Sequence, residues 1–362
     1  MRIVIDNIIF GWQKSGGISA VWYELIKRML ASGKLKDAFR FINYEGSDRN
    51  IFFRELHLGG NSHVVKTISR RMFVVKRYLS QSFSSDVPFI FHSSYYRLCS
   101  NPKAVNIVTV HDFTYERYTH GIKKYLHVWS KDRVLRNADY IVCISENTKK
   151  DLLSYVSDVD PDKIRVIYNG ASDDFHRLSD AERVSEEPFL VFVGNRAPYK
   201  NFDLAVKTAA LSGMKLVVVG EKLNEQELAV TREALGKNFE EVGRISNARL
   251  NELYNKAFAL IYPSSYEGFG LPVVEAQKSG CPVLALDTSS IPEIIGDRNQ
   301  LVKEATPDAF LLQINRLRQA GYRTSIIDNG EINSRQYSWD NTFRQYADLY
   351  DEIMRNYNEK RS

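Results

Sequence analysis

The most constraining feature of the sequence is a strand, loop and helix pattern between positions 258 and 280. The apolar run Phe258–Tyr262 is typical of a short buried strand, and Pro263 ends it. Pro272 stands where the first turn of a helix is expected, and Gly280 marks the end of that helix. This order predicts an α/β unit with a loop between strand and helix.

The residues of this loop favour a ligand that carries both phosphate and sugar. Gly268 and Gly270 let the backbone approach a ligand, and the amides at the helix start favour an anion. Glu267 and Glu275 lie on either side of those amides, and carboxylates are good acceptors for pairs of sugar hydroxyls. The simpler alternative is that each glutamate only balances the helix dipole.

The stretch from Tyr266 to Glu275 resembles the Glu-x7-Glu signature of the retaining glycosyltransferases of family 4. The resemblance implies the α/β GT-B fold, in which two Rossmann-like domains place their parallel sheets on either side of a central cleft. It also implies a retaining reaction without a metal ion or other cofactor. Glu267 would orient the donor sugar, Glu275 would hold the ribose hydroxyls, and the backbone of Gly268, Phe269, Gly270 and Leu271 would bind the donor.

Length and charge agree with a two-domain globular protein. A chain of 362 residues can bury two cores of ordinary size. Residues 1–170 carry 26 Lys and Arg against 16 Asp and Glu, a charge of +10, whereas the remainder carries 23 against 28, or −5. Because no nucleic-acid motif accompanies the basic half, we expect an acidic substrate or an anionic membrane surface, and no nucleic acid, as its partner.

Short apolar runs recur along both halves and alternate with helical stretches, which is typical of parallel sheets covered on both faces. In the first half a strand at Arg2–Ile5 precedes Gly16 and Gly17, as in the opening of a Rossmann-like unit. Paired glycines more often serve only a tight turn. In the resembled family this loop lies near the donor phosphates and the acceptor, so Gly16 and Gly17 are candidate donor-binding residues.

His111 and Asp112 directly follow the predicted strand Val105–Val110. Ligands of open α/β sheets bind outside the carboxyl ends of the strands, although a histidine at a strand end is more often structural. The pair resembles the His-Asp of family members that act on polysaccharides, which implies that His111 lies against the donor sugar with Asp112 beside it.

The second half begins with the strand Phe189–Val193 and a turn at Gly194. Arg196 and Lys200 stand ahead of the next helix, where two cations and free amides could neutralise a diphosphate. In isolation, such surface cations are usually only solvated. The set Gly-x-Arg-x-x-x-Lys-Asn resembles the family's diphosphate-binding loop, which implies that Gly194 binds the donor and that Arg196 and Lys200 stabilise the leaving nucleoside diphosphate.

The domain boundaries follow from the polar connector between the halves. We expect residues 1–172 with 338–362 to form the acceptor domain and residues 187–337 the donor domain; the return of the last helix to the first domain is implied by the resemblance alone. The Asp-x-Asp pattern at Asp158–Asp162 lies in a turn that contains proline, where aspartate serves local hydrogen bonding, so we expect no metal there.

A helix predicted at Val64–Ser80 has apolar residues on one face and a cluster of lysines and arginines around it. Such a helix fits either an anionic membrane surface or an ordinary core-facing position. No apolar run is long enough to span a bilayer, and the N-terminus enters a strand. We therefore expect a cytoplasmic protein with a peripheral position at the inner face of the cell membrane.

These observations predict a glycosyltransferase that moves a hexose or deoxyhexose, with GDP-mannose as the favoured donor, to a lipid-linked glycan of a bacterial surface polysaccharide such as O-antigen or capsule. Two alternatives remain open. A nucleotide-sugar epimerase of the same fold would isomerise the donor without an acceptor. A non-catalytic protein that binds sugar nucleotides or glycans would bind the donor tightly without turnover.

Overall fold

A computed structural model describes residues 2–33, 36–58, 62–69, 73–180, 182–183 and 187–359. The chain divides into two compact units. Unit 1 comprises Met1–Asn169 with Trp339–Ser362, and unit 2 comprises Gly170–Ser338. Each unit is built on one parallel sheet, so the predicted α/β class with two Rossmann-like sheets is confirmed.

Unit 1 contains a seven-stranded sheet in the order β3-β2-β1-β4-β5-β6-β7. Its strands are β1 Arg2–Asp6, β2 Phe39–Tyr44, β3 Val64–Ile68, β4 Phe89–Ser93, β5 Ala104–Val110, β6 Tyr140–Cys143 and β7 Ile164–Val166. Its helices before the boundary are α1 Ile8–Trp12, α2 Gly17–Ala31, α3 Ile51–Glu55, α4 Phe73–Lys76, α5 Thr114–Tyr118, α6 Ile122–Asn137 and α7 Glu146–Tyr155. All strand pairs are parallel, and the inner strand β4 is buried along its whole length.

Unit 2 contains a six-stranded parallel sheet in the order β10-β9-β8-β11-β12-β13. Its strands are β8 Phe189–Val193, β9 Lys215–Val219, β10 Phe239–Gly243, β11 Ala259–Tyr262, β12 Val283–Leu286 and β13 Leu301–Val302. Its helices are α8 Phe202–Ser212, α9 Glu225–Leu235, α10 Asn247–Lys256, α11 Leu271–Lys278, α12 Ile291–Ile294, α13 Pro307–Leu317 and α14 Ala320–Ser334.

The strand order of unit 2 reverses between two neighbouring strands. From β8 the chain crosses to β9 on one side, whereas from β11 it crosses to β12 on the other. The chain therefore changes direction across the sheet between β8 and β11, and the carboxyl ends of these two strands form the topological switch point. In open α/β sheets this switch point is where ligands bind.

The last helix, α15 Trp339–Glu359, packs in unit 1. It buries Tyr346 and Tyr350 against the centre of the sheet. The hydroxyl of Tyr350 lies 2.8 Å from Nδ1 of His92 on β4, and the hydroxyl of Tyr346 lies 3.1 Å from Oγ1 of Thr109 on β5. These buried polar contacts fix the register of the helix on the sheet, because an unpaired polar atom there would be costly.

The helix predicted at Val64–Ser80 is wrong over its first part. Val64–Ile68 forms the edge strand β3, and only Phe73–Lys76 is helical; Arg70, Arg71 and Met72 lie outside the described residues. The run Val-Val-Lys-Thr-Ile is rich in β-branched side chains, which favour a strand. An edge strand exposes much of its surface, so its apolar residues need not alternate strictly. Their spacing in this sequence also fits one face of a helix, which led to the wrong prediction.

A search of the described helices for a membrane span found none with the required length and apolar character.

Candidate functional site

The loops after β8 and β11 meet at the switch point of unit 2. The Ser265 amide donates to the Tyr199 carbonyl over 2.8 Å, and Asn201 Nδ2 donates to the Pro263 carbonyl over 2.8 Å. Asn201 directly precedes helix α8, but its side chain joins the two loops and does not cap the helix. Two segments more than 60 residues apart in the chain therefore form one continuous surface.

At the centre of this surface Lys200 and Glu267 form an ion pair. Lys200 Nζ lies 2.5 Å from Glu267 Oε1, and the two side chains are only 13% and 11% exposed. The structure therefore brings together two of the predicted site residues. A charged pair at the carboxyl end of a parallel sheet can offer a cation to a phosphate and a carboxylate to a hydroxyl.

Two serines that the sequence analysis missed hold the backbone of the Glu267 loop. The Glu267 amide donates to Ser289 Oγ over 2.8 Å, and Ser290 Oγ lies 2.9 Å from the carbonyls of both Glu267 and Phe269. Ser289 itself has a left-handed φ of 52°. In the sequence these residues stand out only as a Ser-Ser pair before α12. Nothing in the local pattern indicates that the pair contacts the backbone at residue 267.

Helix α11 starts directly after this loop, with Gly270 at its N-cap and Pro272 in its first turn. Gly270 has a φ of 102°, and a Cβ placed on it would lie 2.7 Å from Ile291 Cδ1. Glycine is thus required here by backbone conformation and by close packing against α12. The Phe269 side chain is buried and packs edge-to-face on Tyr337, so only the backbone of Phe269 can serve the predicted donor contact.

Glu275 lies on the first part of α11 and is partly buried. Burial raises its pKa to about 7, with weaker opposing effects from Tyr254 and Lys278. The carboxyl group is therefore close to half-protonated at neutral pH in the absence of a ligand. A carboxylate poised in this way gains from hydroxyl groups that donate hydrogen bonds to it.

Arg196 is not brought to the Lys200–Glu267 pair by any contact among the described residues. Its Nε lies 2.8 Å from Glu227 Oε2, and its Nη2 donates to the Lys222 carbonyl over 2.6 Å. Glu227 belongs to the capping box of α9, so the guanidinium is tied to that helix start. Arg196 Nη1 is buried and has no hydrogen-bond partner in the described part of the chain. Gly194 has a φ of 132°, and a Cβ on neighbouring Gly220 would lie 2.4 Å from its carbonyl oxygen, which fixes the turn after β8.

In unit 1, His111 follows β5 and is only 6% exposed. Burial lowers its pKa to about 4, although Asp112 acts in the opposite sense, so the imidazole is neutral at pH 7. Its Nε2 is a buried atom without a hydrogen-bond partner among the described residues. Because a buried polar atom without a partner is costly, this nitrogen is available to a ligand hydroxyl.

A buried lysine on α6 holds the segment that contains His111. Lys131 Nζ donates to the Asp112 carbonyl over 2.6 Å and pairs with Glu116 Oε1 at 3.0 Å. The ammonium also lies 3.5 Å from the centre of the Phe113 ring. Asp112 uses its own carboxylate to accept the Thr114 amide at 3.0 Å. The sequence analysis missed both Lys131 and Glu116, since a charged pair buried between two helices leaves no local pattern.

The other predicted residues of unit 1 lie at the start of α2. Gly16 is the N-cap of this helix, and a Cβ on it would lie 2.7 Å from Gln13 Oε1. A Cβ on Gly17 would meet no atom of the described structure within 4 Å. The space above Gly17 is therefore open to a ligand, whereas a side chain at Gly16 would require the end of the Gln13 side chain to move.

Other polar residues of unit 1 serve the local structure. Ser145 caps α7 by accepting the Thr148 amide at 3.0 Å. Asp160, within the Asp-x-Asp pattern, accepts the Asp162 amide at 2.9 Å in a tight turn. Across the described ranges, no group of three or more His, Cys, Asp and Glu side chains has the spacing of a metal site.

Two protein-family models match successive parts of the chain. The model described as Glycosyltransferase Family 4 matches residues 15–175, and the model described as Glycosyl transferases group 1 matches residues 176–332. The predicted resemblance is thereby supported over both halves of the sequence.

Curated relatives and solved structures agree with these models. The chain is 25% identical over 234 residues to the O-antigen chain mannosyltransferase B of Escherichia coli, covering 60% of this chain and 61% of that protein. It is 31% identical over 198 residues to the O-antigen chain mannosyltransferase RfbU of Salmonella typhimurium, covering 52% and 54%. The chain thus spans less than two thirds of the length of these relatives.

The structure of HepE from Anabaena in complex with UDP and glucose superposes with a TM-score of 0.71 at 14% identity, covering 97% of this chain and 100% of that one. At this identity the likeness shows a shared fold. The predicted GT-B fold, with two parallel-sheet Rossmann-like units, is confirmed.

Proposed function

We propose that this chain, whose two halves match the sequences of glycosyltransferase families, is an enzyme that transfers a hexose from a nucleotide-sugar donor to a glycan. The observation that carries the proposal is the Lys200–Glu267 pair at the switch point of unit 2, directly before the N-terminus of α11. The family models and the glycosyltransferases among the relatives support the assignment to a transferase.

The donor's diphosphate is proposed to bind at Lys200 and the N-terminus of α11. The ammonium group and the positive end of the helix dipole both favour an anion. Glu275, four residues further along the helix than Leu271, would accept the two ribose hydroxyls, and its ionised form is the better acceptor. We also propose that no metal ion takes part, because these two positive groups lie where a metal would otherwise neutralise the diphosphate.

The reaction breaks the bond between the anomeric carbon and the diphosphate oxygen, and the electron pair leaves with the diphosphate. An acceptor hydroxyl forms the new bond on the same face of the sugar, and its proton passes to the departing phosphate oxygen, which retains the anomeric configuration. Positive charge develops on the sugar ring and negative charge on the leaving group. Lys200 is placed to stabilise the latter, and Glu267 to hold the donor sugar.

His111 is proposed to form a hydrogen bond with a hydroxyl of the donor sugar, either as donor or as acceptor. Its neutral state and its unpartnered Nε2 support this role, because a neutral imidazole adds no charge that would oppose the developing oxocarbenium ion. Arg196 stays a candidate for the diphosphate only if its guanidinium leaves Glu227 when the donor binds.

GDP-mannose is the donor that we propose, and a lipid-linked bacterial surface glycan is the acceptor. The support is that both relatives are named as mannosyltransferases of the O-antigen chain. We further propose that the enzyme works at the cytoplasmic face of an anionic membrane, where a lipid-linked acceptor would be presented.

The proposal is tested by incubating the purified protein with GDP-mannose and synthetic acceptors that carry a glycan on a polyprenyl diphosphate. We expect GDP release together with an acceptor that is one hexose heavier, unchanged by EDTA, and an α-linkage in the product by NMR. Isomerised donor without any acceptor would indicate an epimerase instead. Donor binding without release of GDP from any acceptor would indicate a non-catalytic protein.

A further inference from the structure

Helix α6 has two different faces. His127 and Lys131 belong to the buried face, where the His127 ring stacks on Tyr115 at 4.1 Å and Lys131 contacts the Asp112 carbonyl at 2.6 Å. This face fixes the helix firmly in unit 1. The remaining question is what the opposite face does.

The opposite face is a row of large apolar side chains in contact with solvent. Ile122, Tyr125, Leu126 and Trp129 are 78%, 72%, 51% and 60% exposed. Their spacing places them on one side of the helix over two turns. We call these four residues the aromatic stripe.

The aromatic stripe differs from other exposed apolar residues of the protein. In unit 2, Leu312 on α13 and Ile332 on α14 are 67% and 63% exposed, but each is the one strongly exposed large apolar residue described on its helix. Single residues of this kind are common on soluble proteins, whereas a contiguous apolar row marks an interaction surface.

The charge around the stripe is positive. The sequence of α6 contains five Lys and Arg against one Asp; because Lys131 is buried and paired with Glu116, the remaining four cations and one Asp leave a net charge of +3. Arg133 continues the stripe by one turn and lies with its guanidinium carbon 5.4 Å from the centre of the Trp129 ring. Lys124 stands beside the stripe and is partly exposed.

We propose that the aromatic stripe is the surface by which this protein docks on an anionic lipid bilayer. Trp and Tyr side chains favour the boundary between headgroups and acyl chains, and nearby cations are attracted to anionic headgroups. The inference rests on the proposed function in that a lipid-linked acceptor requires a membrane. It replaces the predicted helix at 64–80 as the membrane contact.

Docking through this face would also position the candidate site. The buried face of the same helix contacts the Asp112 carbonyl, so His111 would lie roughly one helix diameter, about 10 Å, from the surface of the bilayer. A lipid-linked acceptor would then reach the His111 segment without leaving the membrane.

The test is cosedimentation of the full chain with vesicles of phosphatidylcholine, with and without phosphatidylglycerol, at low and high salt. We expect binding to the anionic vesicles that salt weakens. The variant Tyr125→Ser/Trp129→Ser should bind at least about tenfold more weakly, and Lys124→Gln about fivefold more weakly. The matched control Leu312→Ser/Ile332→Ser removes two equally exposed apolar residues from unit 2 and should bind like the wild type.

Three outcomes would overturn the proposal. The first is that the wild type fails to bind anionic vesicles at low salt, and the second is that the stripe variant and the control bind equally well. The third is that the wild type is a dimer by light scattering and does not bind vesicles, whereas the stripe variant is a monomer. This result would assign the stripe to contact with a second copy of this chain.

Failure of the docking proposal can be told apart from failure of the proposed function. A nucleotide-induced rise in melting temperature reports on the donor site and needs no membrane. A stripe variant that keeps this rise but loses vesicle binding supports docking alone. A wild type that binds vesicles but shows no response to any nucleotide leaves the docking surface intact and contradicts the proposed donor site.

Discussion

The two segments proposed to contact the donor are built in opposite ways. In unit 2 the Lys200–Glu267 pair is charged, partly exposed and supported through its backbone by Ser289 and Ser290. In unit 1 the imidazole of His111 is buried and neutral, and a fully buried ion pair supports its segment from behind. The difference agrees with the proposed roles, in which the Lys200 cation neutralises a diphosphate and the neutral His111 imidazole orients a sugar hydroxyl without adding a positive charge.

The largest effect should come from removing the buried support in unit 1. Lys131→Met leaves Glu116 charged and unpaired in the protein interior, where its side chain is only 6% exposed. We expect the free energy of unfolding to fall by about 3–5 kcal/mol. The pKa of His111 should also rise, because Lys131 lowers it in the wild type. Chemical denaturation and histidine NMR titration measure the two effects.

The matched control for this prediction is the double variant Lys131→Met/Glu116→Gln. Replacing both members of a buried ion pair removes the unpaired charge, so most of the lost stability should return. If the single and double variants were equally unstable, loss of packing and not of charge pairing would be the cause.

Removing the cation of the Lys200–Glu267 pair, whose side chains are 13% and 11% exposed, should affect turnover more than folding. Lys200→Met deletes the positive group nearest to the proposed diphosphate position, and kcat should fall by roughly 10²–10³. Lys215→Met is the control, since Lys215 forms a solvent-exposed pair with Glu240 on the same unit. Near-normal turnover of Lys200→Met, measured as GDP release with acceptor, would remove Lys200 from the mechanism.

The two units should respond to acid in opposite directions. Burial lowers the pKa of His111 to about 4 and of His92 to about 3. The stability that these neutral imidazoles give to unit 1 is therefore fully present above pH 6.5 and is lost as the pH falls. The free energy of unfolding should decrease by about 2 kcal/mol per histidine between pH 6.5 and 5. Burial raises the pKa of Glu275 to about 7. The protonated carboxyl group therefore stabilises unit 2 at low pH, and this contribution to the free energy of unfolding is lost as the pH rises from 4.5 to 7. Hydrogen exchange at pH 5 and 7, corrected for intrinsic rates, should show weaker protection of unit 1 and stronger protection of unit 2 at pH 5.

Two variants assign this behaviour to residues. Glu275→Gln should abolish the gain of unit 2 at low pH, and His111→Gln should reduce the loss of unit 1. Parallel changes in both units would contradict the assigned pKa shifts.

The smallest effects should come from alanine substitutions of Gly270 and Gly17. They separate a glycine that is needed for the fold from one that leaves space for a ligand. Gly270→Ala should destabilise unit 2 by about 1–3 kcal/mol, because its φ is 102° and Ile291 occupies the space. Gly17→Ala should leave the melting temperature unchanged, since the space there is open. If a ligand uses that space, Gly17→Ala weakens donor binding without loss of stability; equal donor affinity would exclude Gly17 from the site.

Much of the fold could be predicted because the inner strands are short apolar runs between turn residues. Phe189–Val193 has the predicted bounds, and Ala104–Val110 and Ala259–Tyr262 differ from the predicted strands by one residue at their starts. The edge strand Val64–Ile68 was assigned to a helix, and the two-residue strand Leu301–Val302 was missed, because strands at an edge need little apolar patterning.

The local structure of the candidate site was predictable where its residues follow one another in the chain, as in the loop from Glu267 and the helix that contains Glu275. It was not predictable where distant segments meet. Ser289, Lys131 and Glu116 act through contacts that only the folded chain creates, and Arg196 was expected beside Lys200 although Glu227 holds it elsewhere. The aromatic stripe on α6 was missed because the buried face of this helix includes the polar residues His127 and Lys131 while large apolar residues are exposed, which hides the amphipathic pattern.

The measurement that tests the account most directly is a thermal-shift titration of the purified chain with GDP, UDP, dTDP and their sugars, with and without EDTA. A nucleotide at a hundred times its Kd should add about 2.7 kcal/mol, a shift of several degrees. The account predicts a shift with the guanine nucleotides that EDTA leaves unchanged and Glu275→Gln strongly reduces. No shift with any nucleotide, or an equal shift in Glu275→Gln, would contradict a donor site on the Glu267–Glu275 loop.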